Sequence, residues 1–266
     1  MNVYQQELRM MRNSCIAWSL VLVALGLMFM AIFPAFKEDI ATSKALLEKF
    51  PEAVRAALGL NLSTFFTFLG FYTYTFSYIL LAGAIQGMNI GLSMVSKEDS
   101  AKTTDFLLTK PVSRTRVFVA KLFAGLTILA ITISVFTLAI VVFSHAFGSG
   151  NYSMKTLLLL NLAFLMVQVC FMAIGVLVSQ LLRRVKSVVS ISLGVVFAFF
   201  AVSLLGSIVK DEKFQYFTPF KFFDLMEIVK QGAYQTTSLV LVAVVVGVGF
   251  IVSYMLYVNR DVRAVA

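Results

Sequence analysis

Charge is scarce in this sequence. Asp, Glu, Lys and Arg make up 13% of its 266 residues, against about 25% in an ordinary soluble domain. Proline is nearly missing too, with 4 residues, and there are only 2 cysteines, 1 histidine and 1 tryptophan. Each shortage excludes something. So little polar surface cannot cover a water-soluble core that must also hide 26 phenylalanines. Cys15 and Cys170, both inside apolar stretches, form no disulfide framework and read as small buried hydrophobes. His145 alone cannot serve as both metal ligand and general base, and it reads as an interfacial side chain. The sequence contains no H-E-x-x-H and no G-x-S-x-G. It also lacks G-x-x-x-x-G-K-[ST], so ATP is not cradled here by the usual phosphate loop.

What the sequence does have is apolar length. Hydrophobic residues make up 60% of it, and the mean hydropathy is +0.91. Six apolar runs stand out, at about 14–33, 62–95, 117–146, 154–182, 185–209 and 238–258. Each reaches the roughly 20 residues a helix needs to cross about 30 Å of hydrocarbon. Lipid offers no partner to an unpaired backbone amide, and no run shows the alternation of a barrel strand, so all six read as helices. The predicted fold is an all-α integral membrane domain with six transmembrane helices. The first run follows Arg9 and Arg12 as a signal peptide would. Its length and the lack of a cleavage site make it a retained anchor. The second and third runs are too long for a simple span.

Orientation follows from Lys and Arg. With both termini inside, the cytoplasmic segments hold 13 basic residues against five acidic ones, and the outer segments hold the other nine and eight. The inside is then +8 and the outside +1, the sign expected of a membrane protein. The high pI of 9.6 therefore reads as topology, with membrane lipids and not nucleic acid as the partner of the basic residues. Two outer segments exceed a turn. Leu46, Phe50, Val54 and Leu58 recur at helical spacing and predict an amphipathic outer-surface helix between spans 1 and 2. Residues 214–231 are aromatic and mixed in charge, with Pro219 as a breaker, and read as interfacial. At the N-terminus, Tyr4, Leu8, Met11 and Cys15 share a face opposite Gln5, Arg9 and Arg12, which predicts an interfacial elbow.

Ionisable groups are almost missing from the spans. Lys121 and Lys155 lie within a turn of a membrane edge, where their amines can snorkel. No Asp or Glu falls inside any run, which weighs against a carrier driven by protons or sodium. The polar residues at depth are neutral: Gln86 and Asn89 in the second run, Asn161, Gln168 and Gln180 in the fourth. Asn161 and Gln168 are seven apart and share a face. Two readings stay open for Gln86, Asn89, Asn161 and Gln168, namely interhelical hydrogen bonding and the lining of a translocation path. Gly83, Gly87 and Gly91 repeat as G-x-x-x-G and make a ridge that admits another backbone, either within the subunit or near a dimer seam.

The loop KEDSAKTTDFLLTKPVSRTRVFVAK, residues 97–121, carries the most information. It is charged at both ends, yet Phe106, Leu107 and Leu108 form an apolar knot at its centre. Pro111 ends a short helix, and Ser113 can cap the next one. A solvated loop has no need for that knot. A segment docking in a partner's groove does, and so does a helix resting on the membrane.

At this loop the sequence resembles the permease subunits of bacterial type-two ATP-binding-cassette (ABC) exporters. These carry an acidic residue, Thr, an acidic residue, a Leu-Leu pair, Pro and Ser/Thr-Arg. Glu98, Thr103, Asp105, Leu107, Leu108, Pro111, Ser113 and Arg114 stand at those positions, with Asp99 beside them, and Lys121 matches a basic residue that is common further along. Lys102 departs from the Gly that many relatives have. Weaker matches are Glu7-Leu8, Trp18, the stretch from Pro51-Glu52 to Leu58-Gly59, Pro219-Phe220 and Asn259-Arg260-Asp261. The resemblance implies a six-helix, multi-pass permease of the inner membrane, for which the charge split above gives N-in/C-in topology. Its loop would be a cytoplasmic coupling helix between spans 2 and 3, seated in a groove of a separate ATPase. This chain would bind no cofactor, and ATP and Mg would sit on that partner. Two ATPase copies and a second permease copy or paralogue would complete the unit.

The expected function is export of an amphipathic peptide, antimicrobial or lipophilic drug. Phe106, Leu107 and Leu108 would be the docking knob, and Glu98, Asp105 and Arg114 would fix its register by charge. The rivals are a non-transporting scaffold or assembly factor using the same loop, and a secondary carrier, which the missing buried carboxylates disfavour.

Overall fold

A computed structural model describes residues 3–38, 40–51, 54–55, 60, 64–101, 113–147, 152–182, 185, 187–209 and 216–259. Six helices among them are long and apolar enough to span a membrane, and none of the described residues is in a strand.

The first span begins earlier than its apolar run. Helix α1, Val3–Glu38, is unbroken over 36 residues, about 54 Å at the α-helical rise. The expected N-terminal elbow is therefore part of the same helix. The stripe that suggested it is real but faces protein: Met11 and Cys15 are buried in a cluster with Phe118, Ile128 and Leu129. The Tyr4 hydroxyl lies 3.0 Å from Thr127 Oγ1. Helix α2, Ile40–Glu48, has no buried residue. It stops short of the predicted repeat because Pro51 cannot continue it. Pro51 instead opens a new turn, accepting from the N–H groups of Val54 and Arg55 at 3.0 Å. Leu58 lies outside the described residues.

Helix α3, Phe68–Ala101, starts later than the run at 62–95. Thr67 caps it, its hydroxyl accepting from the Gly70 N–H at 3.1 Å and donating to the Thr64 carbonyl at 2.7 Å. Helix α4, Arg114–Phe147, is as long as α3, and Ser113 Oγ accepts from the Arg116 N–H at 3.3 Å. Both helices exceed what a bilayer needs. Helix α5, Met154–Leu181, is capped by Ser153, and α6, Val188–Val209, begins beside Ser187.

The segment read as interfacial packs against the bundle through Thr218, Pro219, Phe222 and Phe223, which are buried. Pro219–Lys221 forms a 3₁₀ turn with Pro at its start, so this proline opens an element. Asp224 Oδ1 then caps α7, Leu225–Gln231, accepting from the N–H groups of Met226 and Glu227. Gly232 closes α7 at φ 63°, the left-handed conformation that glycine adopts without strain. The Phe220 ring stands 5.0 Å from Phe171 on α5 and 5.5 Å from Phe200 on α6. Thr218 Oγ1 donates to the Phe199 carbonyl at 3.1 Å. Phe199 is ten residues in from the Val209 end of α6, about 15 Å along the helix. Helix α8, Thr236–Val258, completes the chain of spans.

Helices α3 and α5 form the centre, and they pack more extensively than any other pair. In the most apolar stretch of each, 61% of the residues are buried, against 22% in α1 and 11% in α8. Helix α1 lies along α4, α8 against α5, and α6 against α3. The start of α1, the end of α3, the start of α4 and the end of α8 come together at one end of the bundle, here the connection end because residues 102–112 join α3 to α4 in the sequence.

Candidate functional site

Two places gather the polar chemistry: the connection end and the seam between α3 and α5. At the connection end, the backbone of Glu98 and Asp99 belongs to the last turns of α3. Thr103, Asp105, Phe106, Leu107, Leu108 and Pro111 lie outside the described residues, and with them the expected coupling helix. The residues that frame it are described. Arg114 donates from Nη1 to the Val258 carbonyl at 3.0 Å. Thr115 Oγ1 is 3.0 Å from the Tyr254 hydroxyl. The Phe118 ring stands 5.6 Å from Tyr254 and 5.4 Å from Tyr257. The start of α4 is thus bound to the end of α8, an attachment that sequence reasoning did not anticipate.

Lys121 does not snorkel. It is 4% exposed, its Nζ donates to the Met94 carbonyl at 2.7 Å, and Glu7 Oε1 lies 3.5 Å away. Glu7 is itself only 6% exposed. A buried charge is tolerable only with such partners. The sequence held one signal for this pair. Glu7 shares the helical face of Met11 and Cys15, so a carboxylate stood on a face that the apolar stripe marked as buried.

At the seam, the ridge of Gly83, Gly87 and Gly91 lies against α5 of the same chain. A Cβ on Gly83 would collide with the Phe164 ring, on Gly87 with the Gln168 carbonyl, and on Gly91 with the Met172 carbonyl. Gly175 answers from α5, where a Cβ would come within 2.7 Å of the Met88 carbonyl. Beside the ridge runs a hydrogen-bonded chain across four helices. Gln168 Nε2 donates to Gln86 Oε1 at 3.0 Å, and Gln86 Nε2 donates to Thr132 Oγ1 at 3.0 Å. Cys15 Sγ approaches Thr132 Oγ1 at 3.8 Å, and Thr132 also donates to the Ile128 carbonyl. One level away, the Tyr72 hydroxyl donates to Asn161 Oδ1 at 2.6 Å.

Gln86, Asn161 and Gln168 are at most 2% exposed, so in this arrangement they face neighbouring helices. Asn89 is half-buried. Asn89 Oδ1, Asn161 Nδ2 and Gln168 Oε1 have no hydrogen-bond partner among the described residues. Tyr72 and Thr132 were missed from sequence because a tyrosine or threonine in a span carries no mark of its partner. Among the described residues, no three His, Cys, Asp or Glu side chains converge as metal ligands.

Six apolar helices with neutral polar seams define a multi-pass membrane protein. The family model for the ABC-2 family transporter protein matches residues 1–262. The chain therefore belongs to the ABC-2 transporter family and is a membrane-spanning subunit of an ABC transporter. Permeases of this family work with an ATPase subunit. No curated protein matches the chain.

Proposed function

We propose that this chain is the permease of an ABC exporter whose ATP is hydrolysed by a separate subunit. Its 97–116 segment is the coupling element that seats in a groove of that ATPase. Family membership over residues 1–262 supports the reading, and one structural observation carries it: α3 and α4 are both 34 residues long. At about 51 Å each, they outrun about 30 Å of hydrocarbon and lead directly to the loop with the apolar knot. ATP binding would draw two ATPases together, and the α3–α4 hairpin would carry that motion into the bilayer. Two permease copies, or this chain and a paralogue, would open and close a path between them. The charge balance supports N-in/C-in topology, and the membrane would be a bacterial inner membrane. The cargo is an amphipathic peptide, antimicrobial or lipophilic drug taken from the cytoplasm or inner leaflet.

The test is replacement of Leu107 and Leu108 by Asp. Burying Phe106, Leu107 and Leu108 in a groove is worth about 1.5–3 kcal/mol each, partly offset by ordering and association costs. The double variant should insert normally and lose co-purification of the ATPase. If it keeps its ATPase and exports at the wild-type rate, the coupling assignment fails and the loop is a segment resting on the membrane.

A further inference from the structure

The Lys121 ammonium touches three helices at once. It sits on α4, donates to the Met94 carbonyl of α3 at 2.7 Å, and lies 3.5 Å from the Glu7 carboxylate of α1. The placement along the two long helices is symmetrical. Met94 is seven residues before the end of α3 at Ala101, and Lys121 is seven residues after the start of α4 at Arg114. Two arms of about 10 Å therefore run from this point toward the 102–112 connection. The α4 arm is bound to α8 through Arg114, Thr115 and Phe118. Beyond the point, α1 follows α4 through the bundle.

Holding helices together does not require a buried ion pair. Apolar side chains of similar volume do so as well or better, because they carry no desolvation cost. What the pair adds is a discrete arrangement. The ammonium holds the carboxylate and the carbonyl at one point, and an element that switched between two discrete arrangements there would pass motion between distant sites.

We infer that Glu7, Lys121 and the Met94 carbonyl form the fulcrum of the coupling hairpin. Force on the 102–112 connection turns the two arms about this point, and α1 and α4 carry the rotation to the far end of the bundle. Glu7 and Lys121 are positioning residues for ATP-coupled transport. The inference rests on the exporter reading above.

The experiment uses the full chain co-purified with its ATPase in lipid nanodiscs. Spin labels are placed at Val142 on α4 and Val240 on α8, which are 63% and 53% exposed. The distance between them is measured with and without ATP plus vanadate. The wild type should show a nucleotide-driven shift, and its absence overturns both this inference and the exporter reading. In Glu7→Met/Lys121→Met, thermal stability and ATPase co-purification should stay near wild type, since apolar replacement spares the packing. The nucleotide-driven change in the population of the shifted distance should fall about fivefold or more, the lower end of the usual coupling between sites. Lys121→Arg should keep the shift, and Glu7→Gln should reduce it. If the double variant does not assemble, the two single variants decide. A wild-type shift in the double variant, or in Glu7→Gln, overturns the fulcrum while leaving the exporter reading intact.

Discussion

Gly87 of α3 lies so close to the Gln168 carbonyl of α5 that a Cβ on it would overlap the oxygen. The next glycine on the ridge, Gly91, meets Gly175 across the same seam. Between helices in lipid the hydrophobic effect gives little drive, and close packing and hydrogen bonds do most of the work. Small residues let two backbones approach closely there. The two central helices touch along this ridge, and the other spans are arranged around them.

Alanine at Gly87 should therefore force α3 and α5 apart. The expected cost is about 1–3 kcal/mol, as for overpacking of a filled core. Gly247→Ala is the control, because its Cβ would meet nothing within 4 Å. There alanine should be neutral or slightly stabilising through its better helix propensity. Thermal unfolding of the two variants in detergent, followed by size exclusion, separates them. Equal melting behaviour would remove the ridge from its central place.

The glutamine pair makes a second prediction. Gln86 stands between Gln168 and Thr132, accepting from the first and donating to the second. Gln86→Leu and Gln168→Leu should each cost about 0.6–2 kcal/mol. The double variant should cost less than the sum, because each single change strands the partner left behind. A double-mutant cycle on thermal stability reads the coupling. Strict additivity would mean that the two amides act independently.

The charge split makes a third prediction, about orientation. Cysteines at Lys49 and Lys213 should react with an impermeant maleimide on intact cells, and one at Lys102 only after permeabilisation. The native Cys15 and Cys170 are buried and should give little background. External labelling at Lys102 would invert the topology.

The spans could be read from sequence because an apolar run of about 20 residues is a one-dimensional signal. Their ends could not. Helix α1 starts at Val3 because Met11 and Cys15 find an apolar partner in α4, and a stripe facing protein looks the same in sequence as one facing lipid. The glycine ridge showed that some backbone must come close, but spacing cannot say which one. Glu7 and Lys121 are far apart in the chain, so their pairing needs the fold. The aromatic segment around Pro219 has the composition of an interface and of an embedded wedge alike. Which helices it meets, through the rings of Phe171 and Phe200, needs the fold.

That wedge gives the last prediction. Helix α6 packs mainly against α3 rather than against its sequence neighbour α5, and the 218–223 segment enters between α5 and α6. Phe220 touches both sides, and Thr218 ties the segment to the Phe199 carbonyl. Phe220→Ala removes the ring that bridges the two helices. A fully buried Phe→Ala change costs about 3–5 kcal/mol. Phe220 is only half-buried, so a cost of about 2 kcal/mol is expected. Tyr216→Ala is the control, since that ring is 54% exposed and its loss should cost under about 0.5 kcal/mol. Phe220→Leu should fall between them, because leucine fills part of the gap but offers no ring edge to Phe171. The measurement is thermal stability of the three variants in one detergent, with proteolysis of the α6–α8 connector as a second readout. Detachment of the wedge should make Phe220→Ala the variant cut fastest there. If Phe220→Ala melts and digests like Tyr216→Ala, the segment rests on the bundle surface and α5 and α6 are held together by other contacts.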